Sequence, residues 1–438
     1  MDCLEIEGGH PISGQVAVRG AKNSVSKQLV ASLLTEDRVT LHNAPAILDT
    51  WIVSDMLRAM GVEVEASGED GAGTLSVRAA DVTPLSANRL GEFSGKSRIP
   101  ILLCGPLLHR TGEALIPHLG GDDIGHRQVN WHLMVLQQLG AEISDQPDGL
   151  HLKAEELVGC ELRLPFPSVG ATEQVLLAAT LAKGTTVLHG AATEPEILDL
   201  IAVLLKMGAA IFFRDDRAIE IHGQASLKGY EHSSMPDRLE VASWACAAIA
   251  TEGEVFIKNA RVEDMVSFLG AYRLMGGSFT ASPDGIHFCR TAAELQAVDL
   301  DTAVHPGFMT DWQAPVGVAL TQAHGMSTLH ETVYENRFGY TRALADMGAD
   351  IHVQRGCPKG RACRFGGLGF EHTAHFRGPT PLHGAEVVVP DLRAGFSHVI
   401  GALLAQGTTT VRNFRLLERG YEGLVPKLEA LGARVRVR

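Results

Sequence analysis

Pro167-Ser168-Val169-Gly170-Ala171-Thr172-Glu173-Gln174-Val175-Leu176-Leu177-Ala178-Ala179-Thr180-Leu181-Ala182 runs into the turn and strand Gly184-Thr185-Thr186-Val187-Leu188. Pro, Ser and Gly at its head are residues of a helix start. From Gln174 to Ala182 the side chains are small or apolar and none is charged. A helix of that kind has no face to offer water, so it is expected to be buried nearly all round. The strand that follows is led by glycine and built on β-branched residues. A second helix then closes at Met207-Gly208, where glycine enters the left-handed region without a Cβ penalty.

The same unit recurs six times. Its closing pairs are Met60-Gly61, Leu139-Gly140, Met207-Gly208, Met275-Gly276, Met347-Gly348 and Leu431-Gly432, and successive glycines lie 79, 68, 68, 72 and 84 residues apart. A repeat of that size reads as one supersecondary unit used again and again. Strand-helix-strand-helix units with buried central helices predict an α/β fold of two domains, three units each, helices inside and sheets outside. The expected division is 21–235 for one domain and 1–20 with 236–438 for the other.

The helix openings align as well. They carry Lys22, Arg98, Ser168, Asp237, Asp311, and Asp391 with Arg393. Unpaired N–H groups and the positive dipole end make a helix start a place for phosphate or carboxylate. N-capping alone explains the Ser and Asp residues. Lys22 and Arg98 stand against the dipole, and a compensating anion is the reading favoured for them. One trio of openings per domain puts the expected active site in the cleft between the domains.

The chain has 438 residues, 45% of them hydrophobic and 20% charged, the composition of an ordinary globular protein. Lys plus Arg number 38 against 51 Asp plus Glu, and 38 − 51 gives −13. That balance disfavours nucleic acid and anionic membrane surfaces as partners. No apolar run reaches the ~20 residues that span a bilayer, and the acidic N-terminus has no signal-peptide core. A cytoplasmic location is expected. Seven scattered cysteines fit a reducing compartment. Cys357 and Cys363 lie in Arg-Gly-Cys-Pro-Lys-Gly-Arg-Ala-Cys-Arg, whose gap matches no zinc pattern and which no Cys/His pair follows at ligand spacing. A basic surface loop is expected there. The histidines form no helical pair backed by a carboxylate and read mostly as surface or loop residues.

His118-Leu119-Gly120-Gly121-Asp122-Asp123-Ile124-Gly125-His126-Arg127 is the stretch richest in chemistry. Its glycines let a loop bend and approach a ligand closely. A carboxylate on such a loop can be carried into a site as lid residues are; taken alone, the stretch is equally a solvated turn.

Gly20-Ala-Lys22-Asn23, Phe166-Pro-Ser168-Val169-Gly170-Ala-Thr-Glu173, Thr310-Asp311, Glu331-Thr-Val333-Tyr-Glu335-Asn-Arg337-Phe338, Asp391-Leu-Arg393-Ala and Arg419-Gly-Tyr-Glu422 together resemble the UDP-N-acetylglucosamine 1-carboxyvinyltransferase (MurA) family of enolpyruvyl transferases, related to EPSP synthase. The resemblance runs essentially end to end. It implies the two-domain inside-out α/β barrel, phosphoenolpyruvate and a uridine nucleotide as ligands, and neither cofactor nor metal. The reaction it implies adds a sugar hydroxyl to C2 of phosphoenolpyruvate, protonates C3 and then expels phosphate. The family match assigns Asp122, Lys22, Asp311 and Arg419 as catalytic. It assigns Asn23, Arg98, Arg127, Ser168, Val169, Gly170, Thr310, Val333, Asp391 and Arg393 to substrate binding, and makes Asp49 and Glu335 supporting acids.

Most of the family has cysteine where Asp122 stands. A carboxyl can replace that thiol as proton donor if burial raises its pKa, and it offers no thiolate for fosfomycin to alkylate. Asp123 is a neighbouring candidate, although the glycine register favours Asp122. The segment expected to touch uracil departs from the family at Gln128, Asn130 and Trp131, while the phosphoenolpyruvate residues are kept. The family resemblance still makes UDP-N-acetylglucosamine the favoured acceptor. Another nucleotide such as UMP is the alternative, and a catalytically silent nucleotide-sugar-binding paralogue is a third reading.

Overall fold

The computed structural model describes residues 3–68, 73–120 and 129–438. Asp122, Asp123, Arg127 and Gln128 lie outside the described residues. The chain forms two compact units, crossing from the first to the second at Val18/Arg19 and returning at Met235/Pro236.

The unit holding 3–18 and 236–438 carries three sheets. One runs Glu386–Val388, Gly407–Arg412, Cys3–Gly8, Arg434–Val437; another runs Gly277–Ser282, Gly285–Arg290, Glu254–Lys258, Ser13–Ala17. The third is centred on the antiparallel pair Ala323–His330 and Glu371–Gly378. Strand alternation sets which face is buried. Leu4 and Ile6 point into the core while Glu5 and Glu7 on the other face pair with Arg436 and Arg434 across the strand Arg434–Val437.

Three helices fill the middle of this unit: Arg238–Ala250, Gln313–Leu320 and Leu392–Leu404. They pack on one another, and every residue of the first two is buried. Complete burial demands that polar members find partners. Glu240 does so by accepting from Trp244 Nε1 at 2.9 Å and pairing with Lys427 Nζ at 2.5 Å. Trp244 stands edge-on to Phe396 at 4.9 Å and Phe396 stacks on Tyr421 at 4.4 Å, which locks two of the helices together.

The unit holding 19–120 and 129–235 repeats the design. Its sheets run Glu231–Ser233, Arg38–Ala44, Gly73–Arg78, Glu63–Ser67; then Ala210–Arg214, Ala218–His222, Thr185–His189, Glu161–Arg163; then Glu113–Ile116, Gly149–Lys153, Glu142–Gln146. Its inner helices are Lys22–Ala31, Cys104–Thr111 and Val169–Ala179. The last of these is buried from Ala171 to Ala179, as its composition requires.

All six closing glycines take positive φ: Gly61 88°, Gly140 109°, Gly208 96°, Gly276 100°, Gly348 107° and Gly432 78°. The inside-out α/β barrel of six units is therefore the observed fold.

The segment of Cys357 and Cys363 is a largely exposed loop, but the reading that no Cys/His pair accompanies it is corrected. The segment folds back so that His372 and His330 join both thiols, with all four ligand atoms within 4.8 Å of one another. The pair missing from the linear spacing comes partly from a strand 27 residues upstream, since 357 − 330 is 27. The histidine reading is corrected in part too: His132, His232, His330, His372 and His398 are buried.

Candidate active site

In the unit of 236–438, Asp311 is the centre of charge. It sits in the short 3-10 turn Thr310–Trp312 that leads into helix Gln313–Leu320. Arg337 donates to its Oδ1, and Arg393 Nε lies 3.6 Å from its Oδ2. Both arginines are buried, so their charge is poorly screened by water.

Thr310 is held from below by Glu331, which is fully buried. Glu331 Oε2 accepts from Thr310 Oγ1 at 2.7 Å and from Gln313 Nε2 at 3.0 Å. Its Oε1 accepts from Thr302 Oγ1 at 2.8 Å and from the N–H groups of Val333 and Tyr334 at 2.7 and 3.0 Å. Five donors on one carboxylate pin the 331–334 turn and the 310–313 turn to each other.

Asp391 caps helix Leu392–Leu404, accepting from the N–H groups of Arg393 and Ala394 at 2.8 and 3.0 Å. The cap fixes the backbone that aims Arg393 at Asp311. A cavity of about 690 Å³ is lined by Arg337, Arg342, Tyr340, Asp391, Arg393 and Glu371 among others. Arg419 ends the 3-10 turn Phe414–Arg419.

In the unit of 19–235, Lys22 opens helix Lys22–Ala31 and pairs with Asp49 Oδ2. Asp49, in the first turn of helix Leu48–Ala59, is buried. The anion that a lysine at a helix start calls for is thus supplied at least in part by the protein itself. Asn23 follows at the second helical position, and its carbonyl accepts from Lys27 Nζ at 2.7 Å.

Ser168 caps helix Val169–Ala179 by accepting from Ala171 N at 3.3 Å. Val169 and Gly170 form its first turn, and the buried His132 packs on Gly170 so closely that a Cβ there would lie 2.8 Å from Nε2. Arg98 precedes the 3-10 segment Ile99–Leu103, against which helices Lys22–Ala31 and Val169–Ala179 both pack. Gly120 N donates to Ser97 O at 3.1 Å, and Gly95 N donates to His118 O at 2.9 Å. Residues 118–120, which lead toward Asp122, are therefore tied to the segment carrying Arg98.

Glu173, one turn into the same helix, is buried with Lys27 Nζ at 3.4 Å. Burial raises its pKa to about 7, against the lowering pull of Lys27 and with help from Glu196 and Glu194.

The fold thus gathers Asp311, Thr310, Val333, Asp391 and Arg393 in one unit, and Lys22, Asn23, Arg98, Ser168, Val169 and Gly170 in the other.

Residues 6–428 match the family described as EPSP synthase (3-phosphoshikimate 1-carboxyvinyltransferase). The chain belongs to that family. It is similar to the UDP-N-acetylglucosamine 1-carboxyvinyltransferase of Protochlamydia amoebophila (strain UWE25), 45% identical over 441 residues that span 99% of this chain and 94% of the relative. The protein of the same name from Chlamydia pneumoniae is 42% identical, over 100% of this chain and 95% of the relative. Among solved structures, the enolpyruvyl transferase NikO from Streptomyces tendae matches with a TM-score of 0.86 at 26% identity, covering 100% of this chain and 99% of that one. EPSP synthase from Acinetobacter baumannii shares the fold, with a TM-score of 0.76 at 16% identity and full coverage of both chains. The chain is an enolpyruvyl transferase.

Two residues of this family member escape a reading of motifs one by one. Arg337 is visible in the sequence only as part of Glu331–Phe338, yet it is the direct partner of Asp311. Glu331 reads along the chain as one more loop acid. It directly follows the buried strand end Ser327–His330, where an acid has to be satisfied.

Proposed function

We propose that this chain transfers the enolpyruvyl group of phosphoenolpyruvate to the 3'-hydroxyl of UDP-N-acetylglucosamine, releasing phosphate in the first committed step of peptidoglycan synthesis. The observation that carries this reading is likeness along the whole chain to carboxyvinyltransferases named for that acceptor. We place the reaction in the cytoplasm.

The residues of both units serve one reaction. Asp311 takes the proton of the acceptor hydroxyl as its oxygen bonds to C2 of phosphoenolpyruvate, and Asp122 gives a proton to C3. The adduct then loses the C2–O bond to phosphate while C3 returns its proton, which leaves an enol ether. Each positioned proton transfer of this kind is worth ~10²–10⁴-fold. Lys22, Arg127 and Arg419 hold the phosphate and carboxylate, with Arg98 and Arg393 beside them; guanidinium groups suit a bidentate carboxylate. Asn23, Ser168, Val169, Gly170, Thr310, Val333 and Asp391 shape the site for the acceptor. The roles of Asp122 and Arg127 rest on the family resemblance.

Phosphate release from phosphoenolpyruvate with UDP-N-acetylglucosamine, compared with UMP, tests the reading. Release with UDP-N-acetylglucosamine, abolished in Asp122→Asn, is the expected result. Release with UMP alone moves the acceptor to another uridine nucleotide, and no release with either refutes catalysis on this class of acceptor. Activity is expected to survive incubation with fosfomycin, because the residue at 122 is an aspartate.

A further inference from the structure

We propose that Cys357, Cys363, His372 and His330 form a structural zinc site within the unit of 236–438. The strand Ala323–His330 brings His330 to its end, the strand Glu371–Gly378 brings His372 to its start, and the segment between Arg355 and Glu371 carries both cysteines across them. Cys357 Sγ lies 3.4 Å from Cys363 Sγ and 3.5 Å from His372 Nε2. Zn–S bonds of ~2.3 Å and Zn–N bonds of ~2.0–2.1 Å give tetrahedral edges of about 3.3–3.8 Å. The two measured edges already fit, and the remaining ones, none above 4.8 Å, close on an ion by about 1.5 Å at most.

Each imidazole is oriented through its other nitrogen. His330 Nδ1 is 3.0 Å from Asp301 Oδ1, and His372 Nδ1 is 2.8 Å from Phe370 O. Both acceptors require the proton on Nδ1, so both Nε2 lone pairs are left for a ligand. Carboxylate or carbonyl behind histidine is the arrangement that supports metal-binding imidazoles. Arg361 donates to the same Asp301 oxygen at 2.7 Å, and Phe365 N donates to Cys363 Sγ at 3.3 Å. These contacts hold the acid and help to stabilise a thiolate.

His330 Nε2 decides between a metal and a disulfide. His330 is 1% exposed, and among the described residues its Nε2 has no hydrogen-bond partner. A disulfide between the cysteines leaves that buried nitrogen unsatisfied, whereas a cation fills it. Two thiolates and two imidazoles in a tetrahedral set select Zn²⁺ among common ions, and four protein ligands leave no open position for chemistry. Binding releases one proton from each thiol and involves no oxidant.

The clamp would act next to the candidate active site. His330 directly precedes Glu331, the acid that pins the Thr310 and Val333 turns. Arg364, one residue past Cys363, donates to the carbonyl of Val333. Glu371, beside His372, lines the cavity with Arg337 and Arg393.

The test uses the untagged full-length chain, purified with reductant and zinc, then gel-filtered. Elemental mass spectrometry is expected to find one Zn²⁺ per chain, and Cys357→Ser and His372→Ala to lose it. Because those variants bear on a buried site and could fail to fold, the wild-type chain reconstituted with Co²⁺ provides a second reading. It is expected to show visible d–d bands of tetrahedral cobalt and near-ultraviolet thiolate charge transfer. Retention of less than about a tenth of an equivalent of zinc together with no tetrahedral cobalt spectrum overturns the site. So does a Cys357–Cys363 disulfide in protein handled without oxygen, or full zinc content in the doubly substituted Cys357→Ser/Cys363→Ser chain.

Discussion

Both units bury a glutamate beside their candidate site residues, and the two are treated differently. Glu331, next to Thr310 and Asp311, accepts five hydrogen bonds from side chains and backbone. Glu173, on the helix that Ser168 opens, has Lys27 at 3.4 Å and two acids nearby, and its pKa rises to about 7. The ion pairing divides along the same line. Asp311 faces two arginines, Arg337 and Arg393, while Lys22 faces the one acid Asp49. One unit holds an acid between two buried arginines beside a fully partnered glutamate, and the other keeps a lysine–aspartate pair and a titrating carboxyl. Burial alone therefore does not define an acid's role; the number of donors aimed at it does.

The hardest blow to that comparison comes from Asp311→Asn. If Asp311 is the base at the acceptor hydroxyl, kcat for phosphate release is expected to fall by ~10²–10⁴-fold while the fold persists. An unchanged kcat would leave Asp311 as a mere counter-ion for its two arginines. Asp49→Asn is the matching change in the other unit. It removes the partner of Lys22 without touching the proposed proton transfers, so KM for phosphoenolpyruvate should shift more than kcat.

Glu331→Gln comes next. The amide keeps its oxygen but places an NH₂ donor against groups that donate, so at least two of the five bonds are lost. Each buried donor left unmet costs ~1–3 kcal/mol. Unfolding in urea should show a loss of about 3 kcal/mol, with a rise in KM for the acceptor as the Val333 turn loosens.

How much of the molecule is legible in its sequence follows from what each feature depends on. The buried helices and the closing glycines are properties of a dozen neighbouring residues, so Gln174–Ala182 and Met207-Gly208 reveal the repeat directly. Ser168, Asp237 and Asp391 are local too: each caps the helix it precedes. Arg337 on Asp311 depends on two turns far apart in the chain meeting, and the His330–Cys357–Cys363–His372 cluster on two strands pairing across a sheet. No spacing along the chain encodes that meeting, which is why a Cys-x₅-Cys gap reads as unrelated to any ligand set.

Glu173→Gln should erase a pH dependence rather than an activity. A carboxyl whose folded pKa lies near 7 and whose ordinary value is 4.5 binds more protons in the native state than in the unfolded chain throughout that window. Stability therefore falls as pH rises from about 4.5 to 7, by about 3 kcal/mol at the limit. His398 slopes the other way. Burial holds its pKa down to about 4, so the stability it contributes is lost as pH falls from 6.5. The difference between wild type and Glu173→Gln, measured by urea unfolding from pH 5 to 8, isolates the glutamate. A difference independent of pH would place Glu173 among the fully partnered acids and erase its contrast with Glu331.

The smallest effect tests whether the two units are alike where they should be. Gly208 and Gly432 close equivalent helices in different units, at φ 96° and 78°, with nothing within 4 Å of where a Cβ would stand. Alanine at either site meets only the left-handed backbone penalty, about 1–2 kcal/mol. Gly61 has the same role at φ 88°, but its Cβ would stand 2.8 Å from the carbonyl oxygen of Asp81. Gly208→Ala and Gly432→Ala should therefore cost about the same in urea unfolding, and Gly61→Ala more. Equal costs at the first two positions would show that the repeat is energetically as well as geometrically common to both units. The differences between the units would then belong to the acids and cations mounted on it.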